Sequence, residues 1–325
     1  MKVAVVGLGS MGKRRIRLIK DEYSDVQIIG VDAQEVRRKE AEELFGIDVV
    51  DNLDDAIPLV TAVFVCTSPL SHGNIINQCL AAGKDVFTEI NLVSDRYEEN
   101  ICLAKDKQVV LFLSSTFLYR GEIKYIHEKV KGYNKRLNYI YHTGQYLPDW
   151  HPWESFHNFF VKDKRTNGCR EILAIELPWL ITVFGDIERV SVVKSKNTEL
   201  QIDYPDNLLI TLEHTSGHKG VFAVDVVSRK AVRNLEVYGE DLYLSWDGTP
   251  SGLMHYNLEN KQEEQINLYA NVEHQEGYSA SIVENAYRNE IRTFFDMVNH
   301  RKLQNDIYDF ERDLSTLEMI DRIEE

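Results

Sequence analysis

The feature that most narrows what this chain can fold into is its opening, "KVAVVGLGSMGKRRIRLIKDEYSDVQIIGVD". A short β-branched run leads to glycines at 7, 9 and 12, an amphipathic stretch follows, and a second apolar run ends in Asp32. The order is strand, glycine turn, helix, strand. The glycines do different things. Gly7 permits the tight turn, Gly9 lets the backbone approach a pyrophosphate, and Gly12 lets the helix pack on the strand. The helix entered through Ser10 and Met11 aims its N-terminal N–H groups and the positive end of its dipole at the phosphates. Asp32 closes the second strand, where a carboxylate accepts both hydroxyls of an adenosine ribose. The segment predicts a dinucleotide site. A carboxylate at 32 repels a 2′-phosphate, so NAD is expected over NADP, with Arg37 and Arg38 one turn on as the residues that would otherwise serve NADP.

Strand and helix patterns continue to alternate through "GIDVVD", "DDAIPLV", "TAVFVCTSP", "LSHGNIINQCLAAGK" and "DVFTEI", and "QVVLFLSSTF" reads as a last strand. Alternating βα units imply a parallel sheet with right-handed crossovers, and ligands then meet the carboxyl ends of the strands. That places "CTSP" (66 to 69), with Thr67, Ser68, Pro69 and the following His72, and "TEIN" (88 to 91), with Glu89, at the crevice. A first domain spanning 1–118 is expected.

Composition removes several classes of function. The chain has 325 residues, with 37 Lys+Arg against 52 Asp+Glu and a formal charge of −15; such a surface repels a phosphate backbone, so nucleic acid is not an expected partner. Its four cysteines, Cys66, Cys79, Cys102 and Cys169, form no C-x-x-C pair and have no histidine spaced for zinc. No metal and no disulfide framework are expected, and reduced thiols fit a cytoplasmic protein. The apolar start ends in a glycine turn before "KRR", the wrong order for a signal peptide. No later run approaches the roughly 20 apolar residues of a membrane span.

From residue 119 the pattern changes. "REILAIELPWLITVFG" reads as an apolar helix or helix pair. "ERVSVVKSK", "NLLITLEHT", "GHKGVFAVDVVS", "RNLEVYGE" and "DLYLSW" read as antiparallel strands. An open sheet with helices on one face needs cover on the other, and "LLITLEHT" and "GVFAVDVV" are too apolar for water; a homo-oligomer formed face to face is expected. The polar stretch beginning "NLENKQEEQINLYANVEHQ" reads as a surface excursion.

Chemistry-bearing residues gather in two places. "GQYLPDWHPWESF" sets Tyr146, Asp149, Trp150, His151 and Trp153 on a proline-stiffened loop, a combination suited to a small polyhydroxy substrate through stacking and hydrogen bonding. Glu171 and Glu176 lie in the apolar helix, where a carboxylate is either paired, Arg170 being at hand, or turned to a cleft with a raised pKa fit for acid–base work.

These motifs resemble the Gfo/Idh/MocA oxidoreductases over nearly the whole chain, from "VGLGSMG", Asp32 and "CTSP" through "TEIN" to "NAYRNEIRTFFDMV" and "IYDFERDLSTLEMIDRI". The resemblance implies an α/β fold. Its parts are an N-terminal Rossmann doubly wound parallel sheet and, over 119–325, an α/β domain on a large open, mostly antiparallel sheet, with the C-terminal helices placed to pack back on the first domain. Where relatives have E-K-P this chain has Glu89, Ile90 and Asn91. Where they carry an acid and, four residues on, a histidine, it has Glu171 and Ile175. The loop string resembles members from cell-surface sugar pathways. Together these imply an NAD-dependent oxidoreductase transferring hydride at a carbinol carbon of a sugar, nucleotide sugar or related polyol. Its acid–base residue is then non-standard, with His151 first, then Tyr146, Glu176 and Glu171; Glu89 would hold the nicotinamide ribose, and Asp149, Trp150 and Trp153 the substrate. The alternative is an NAD-binding sensor, scaffold or partner subunit without hydride chemistry.

Overall fold

The run "KVAVV" forms strand β1 (Lys2–Val6) because four of its five side chains are apolar and have both sheet faces to fill. Around it the computed structural model, which describes residues 1–150, 154–274 and 282–325, builds alternating strands and helices. These are α1 (Ser10–Glu22), β2 (Gln27–Val31), α2 (Glu35–Phe45), β3 (Asp48–Val50), α3 (Leu53–Ala56), β4 (Ala62–Val65), α4 (Pro69–Ala81), β5 (Asp85–Thr88), α5 (Tyr97–Lys107) and β6 (Leu111–Leu113). All six strands are parallel, in the order β3-β2-β1-β4-β5-β6. The order reverses between β1 and β4, and that switch point is where such sheets open a crevice for ligands. Strand register sets Phe64, Phe87 and Phe112 side by side on β4, β5 and β6. Their rings stack at 4.9 Å, and Phe294 packs edge-on against them. This unit comprises Met1–Ser115 and Tyr287–Leu317.

A second unit comprises Thr116–Ala286 and Glu318–Glu325. Its helices α6 (Gly121–Lys131) and α7 (Gly168–Phe184) accompany strands β7 (Asn138–Gly144), β8 (Ile187–Ser195), β9 (Asn207–His214), β10 (Lys219–Asp225), β11 (Val232–Tyr238), β12 (Tyr243–Trp246), β13 (Met254–Asn257) and β14 (Gln262–Gln265). Two C-terminal helices, α8 (Glu284–His300) and α9 (Phe310–Glu324), complete the chain. The eight strands run β14-β13-β12-β11-β7-β10-β9-β8, antiparallel except for the β7–β10 pair. Alternation decides the faces. Tyr139, Tyr141, Phe222 and Leu235 are buried, Tyr141 stacking on Phe222 and Tyr139 on Phe184 of α7. Gly220 faces Tyr139 in register because a side chain there would overlap the ring.

One open alternative is settled and one reading is corrected. The apolar helix is a single helix that carries Pro178 inside it, since the packing of Trp179, Leu180 and Phe184 outweighs the lost backbone hydrogen bond. The polar stretch read as an excursion contains β14, "QEEQ", exposed along its length at the sheet edge. An all-polar edge strand has no alternation to reveal it, and its charge guards against edge-to-edge pairing.

Candidate functional site

The glycine turn fits a dinucleotide phosphate. Gly7 has φ +90°, and a Cβ there would lie 2.7 Å from the Cys66 carbonyl oxygen. One on Gly12 would overlap the Gly7 carbonyl oxygen. A Cβ on Gly9 would meet nothing within 4 Å, so the protein's own packing leaves that space open. Gly9 is also the N-cap of α1, without a side-chain capping bond and with no acid in the first turn. By contrast Asn52 caps α3 and Asn167 caps α7 with their own oxygens. An uncapped helix start beside open space is a ready anion site. Ser68 starts α4 the same way, with Pro69 at the first helical position.

Asp32 is buried at the end of β2. Its Oδ2 accepts the Leu8 N–H at 2.9 Å and its Oδ1 the Gln34 N–H at 2.8 Å. Each oxygen keeps a lone pair for a sugar hydroxyl. Arg37 stands 3.8 Å from Oδ2, while Arg38 donates to the carbonyls of Asp32 and Ala33.

The "CTSP" loop is wired from within: Thr67 Oγ1 lies 2.7 Å from Ser71 Oγ, which donates to Ser68 O. His72 is buried, with Nε2 2.9 Å from Thr67 O and Nδ1 2.7 Å from the Asn91 side-chain amide. Burial lowers its pKa, so the ring is neutral. Asn91 Oδ1 stands at Nδ1 and Thr67 O at Nε2, and the tautomer sets which of the two the neutral ring donates to. His72 thus has both nitrogens engaged and acts on the crevice through the Thr67 carbonyl. Asn91, where relatives have proline, holds that histidine.

Glu89 is held by Arg15, whose Nε donates to Glu89 Oε1 at 2.6 Å and Nη2 to Glu290 Oε2 at 2.8 Å. Glu290 Oε1 also accepts from Ser114 Oγ and the Ser115 N–H. Arg15 has no exposed surface. Burial alone would lower its pKa, but the charges of Glu89 and Glu290 outweigh that and raise it, while burial raises Glu290. Sequence reading missed Arg15 because "KRR" suggests solvent. The signal was there: Arg15 shares the buried stripe of Gly12, Ile16 and Ile19 at helical spacing.

In the second unit the loop after β7 is held by backbone bonds, Tyr146 N to Ser228 O at 2.7 Å and Leu147 N to Val226 O at 3.0 Å. Trp150 donates its indole N–H to Gln145 O, and its ring sits against Gly168, where a Cβ would lie 3.4 Å from it. The loop therefore flanks the first turn of α7. Tyr146 lies under the Arg229 guanidinium at 4.1 Å, and Asp149 is exposed. His151 and Trp153 lie outside the described residues.

The two helix glutamates differ. Glu176 has no exposed surface: Oε2 accepts from Tyr141 Oη and Trp179 Nε1, both at 2.6 Å, and Oε1 from Arg233 Nε and Nη2 at 3.1 and 2.7 Å. Every lone pair is used, so its geometry is that of a brace. The Glu171 carboxyl, half-buried in the first turn of α7, takes no hydrogen bond or ion pair among the described residues. Arg170 turns instead to Asp321 and Glu324. Burial pushes Glu171 up to about 7, a value poised for proton transfer near neutral pH. Asn167, unforeseen from the sequence, fixes that turn by accepting the Arg170 N–H at 2.8 Å.

Residues 1–114 match the Gfo/Idh/MocA family model, described as an oxidoreductase family with an NAD-binding Rossmann fold. Biliverdin reductase A of Mus musculus is 28% identical over 206 residues, 61% of this chain and 63% of that protein. The chain thus spans under two thirds of that relative's length. Myo-inositol 2-dehydrogenase of Thermotoga maritima is 29% identical over 141 residues, 40% of this chain and 41% of that protein. A solved levoglucosan dehydrogenase in complex with NADH superposes with a TM-score of 0.80 at 16% identity, covering 99% of this chain and 95% of that one. At that identity the likeness is one of fold.

Proposed function

We propose, from the match of residues 1–114 to the Gfo/Idh/MocA oxidoreductase family model, that the chain is an NAD-dependent oxidoreductase of a sugar, nucleotide sugar or related polyol. The observation that carries the acid–base assignment is the half-buried Glu171 carboxyl, without a hydrogen bond or ion pair among the described residues and held up near neutral pH by burial. When bound, the nicotinamide supplies a two-electron hydride acceptor or donor. Glu171 takes the proton of the carbinol hydroxyl as its C–H hydride departs, leaving a carbonyl and a protonated Glu171; in the reverse direction it returns the proton. Tyr146 and Trp150 offer the sugar stacking faces, and Asp149 an acceptor for its hydroxyls. His151 is the second candidate for the proton. Relatives named for inositol and levoglucosan support a polyol substrate.

Gly7, Gly9, Ser10, Met11 and Gly12 would cradle the pyrophosphate, Asp32 the adenosine ribose, Thr67, Ser68 and Pro69 the crevice wall, and Glu89, braced by Arg15, the nicotinamide ribose. Asp32 favours NAD over NADP because a 2′-phosphate would meet its carboxylate. Self-association through the open sheet is supported by Ile140, Val193, Leu209 and Val221, four exposed apolar side chains on adjacent strands of one face, Val193 at 67% exposure.

The test is NADH formation, followed spectroscopically, across a panel of hexoses, inositols, their oxidised forms and nucleotide sugars, run in both directions with NAD and NADP. NAD-linked turnover of at least one polyol is expected. Tight NAD binding by calorimetry with no turnover on any member favours a sensor or scaffold, a reading supported by the apolar Ile90 and Ile175; tighter NADP than NAD binding removes the role given to Asp32.

A further inference from the structure

Arg233, at the start of β11, pairs in register with Thr143 and stands one position from the end of β7, where the Tyr146 loop begins. Its Nε–Nη2 edge is occupied, both nitrogens donating to Glu176 Oε1. Glu176 cannot shift to follow it, because Tyr141 and Trp179 hold the other oxygen. One face of the guanidinium lies on the Phe117 ring, 4.7 Å from its centroid. The group is therefore fixed in position and plane. What this bracing leaves over is the Nη1–Nη2 end: the bonds to Glu176 run through Nε and Nη2, the Tyr141 hydroxyl is a further polar neighbour, and the side chain is 21% exposed. A structural cation that only neutralised Glu176 would need no fork. A rigid guanidinium with one edge tied down and the other open is the arrangement that receives a carboxylate or phosphate through two parallel N–H···O bonds. A second cation, the exposed Arg229, lies over Tyr146 at the same end of the sheet and has no carboxylate partner among the described residues. In a chain of net charge −15, two cations at one strand end make a local attraction for an anion against the general field.

We propose that Arg233, braced by Glu176 and Phe117 and seconded by Arg229, is a subsite for an anionic group, a carboxylate or phosphate, on the substrate. This rests on the dehydrogenase reading and narrows its substrate class from polyols at large to acidic or phosphorylated ones. The same bracing explains why Glu176 is spent on Arg233, since it aims the fork.

The experiment is calorimetric titration of the full chain, saturated with NAD, with D-glucuronate, D-glucose 6-phosphate and neutral D-glucose as probes. The wild type is expected to bind at least one anionic sugar about tenfold or more tightly than glucose, the scale of a charge-assisted bidentate contact, and the stronger of the two arms tells carboxylate from phosphate. Arg233→Lys keeps a cation for Glu176 but removes the fork; the preference is expected to fall to about threefold or less with the melting midpoint nearly unchanged. Because an unpaired Glu176 can unfold the chain, Arg233→Met is combined with Glu176→Gln, and this neutral pair is expected to lose the preference equally. No preference in the wild type, or a preference that survives in both variants, overturns the subsite. Anion preference without NAD reduction on any substrate keeps the subsite and removes the dehydrogenase reading, whereas turnover of neutral polyols without anion preference does the reverse.

Discussion

Glu89 at the end of β5 and Glu171 at the start of α7 are both carboxylates at the edge of a core, yet their surroundings prepare them for opposite roles. Glu89 is bonded by Arg15, itself locked to Glu290, Ser114 and the Phe87 ring. Glu171 has no hydrogen bond or ion pair among the described residues, and burial raises it to about 7. A cation fixes a carboxylate as an acceptor; isolation makes one a proton carrier. Glu176, five residues further on, shows how little helix position decides, for four donors have made it a brace.

The largest effect should come from breaking the first of these surroundings. Arg15→Met leaves Glu89 and Glu290 buried without their cation, and about 3–5 kcal/mol of stability should be lost in urea unfolding; a loss under 1 kcal/mol would mean that the network contributes little. Next, Glu171→Gln should lower turnover by about 100-fold or more while NAD affinity stays within about twofold. In the wild type, oxidation should rise and reduction fall as pH passes through about 7, and this inflection should vanish in the variant. If turnover survives Glu171→Gln but falls in His151→Asn, the proton belongs to His151.

A paired substitution sharpens the account of the cradle. Gly12→Ala forces a methyl into the Gly7 carbonyl and should cost about 1–3 kcal/mol. Gly9→Ala enters open space, so stability should change by less than about 0.5 kcal/mol while NAD binding weakens; unchanged NAD affinity in calorimetry would show that the space serves no phosphate. The smallest effect concerns pH and stability. Glu171 at about 7 and the buried Asp313 at about 6, both raised by burial, have folded pKa values above their unfolded 4.5 and 3.8. Their favourable contribution is full below about pH 4 and is lost as pH rises through 6 to 7. Asp313→Asn should flatten the fall in melting midpoint between about pH 4 and 6; an unaltered slope would assign that fall to other groups.

Much of the first unit was legible because its signals are local. Glycine spacing, β-branched runs and the distance to Asp32 state the turn, the parallel strands and the cradle within some thirty residues, since each constraint acts between near neighbours. The second sheet was legible in kind, though β14 was hidden by its uniform polarity. What the sequence by itself determined is therefore the fold class, the glycine turn and the set of acids and aromatics available for chemistry. Which carboxylate is clamped, which is a brace and which has no partner among the described residues was decided only by the tertiary structure, because Arg15 meets Glu290 across 275 positions and Arg233 meets Glu176 across 57. A charge takes its role from the neighbours that folding brings to it, and those neighbours have no fixed spacing in the chain.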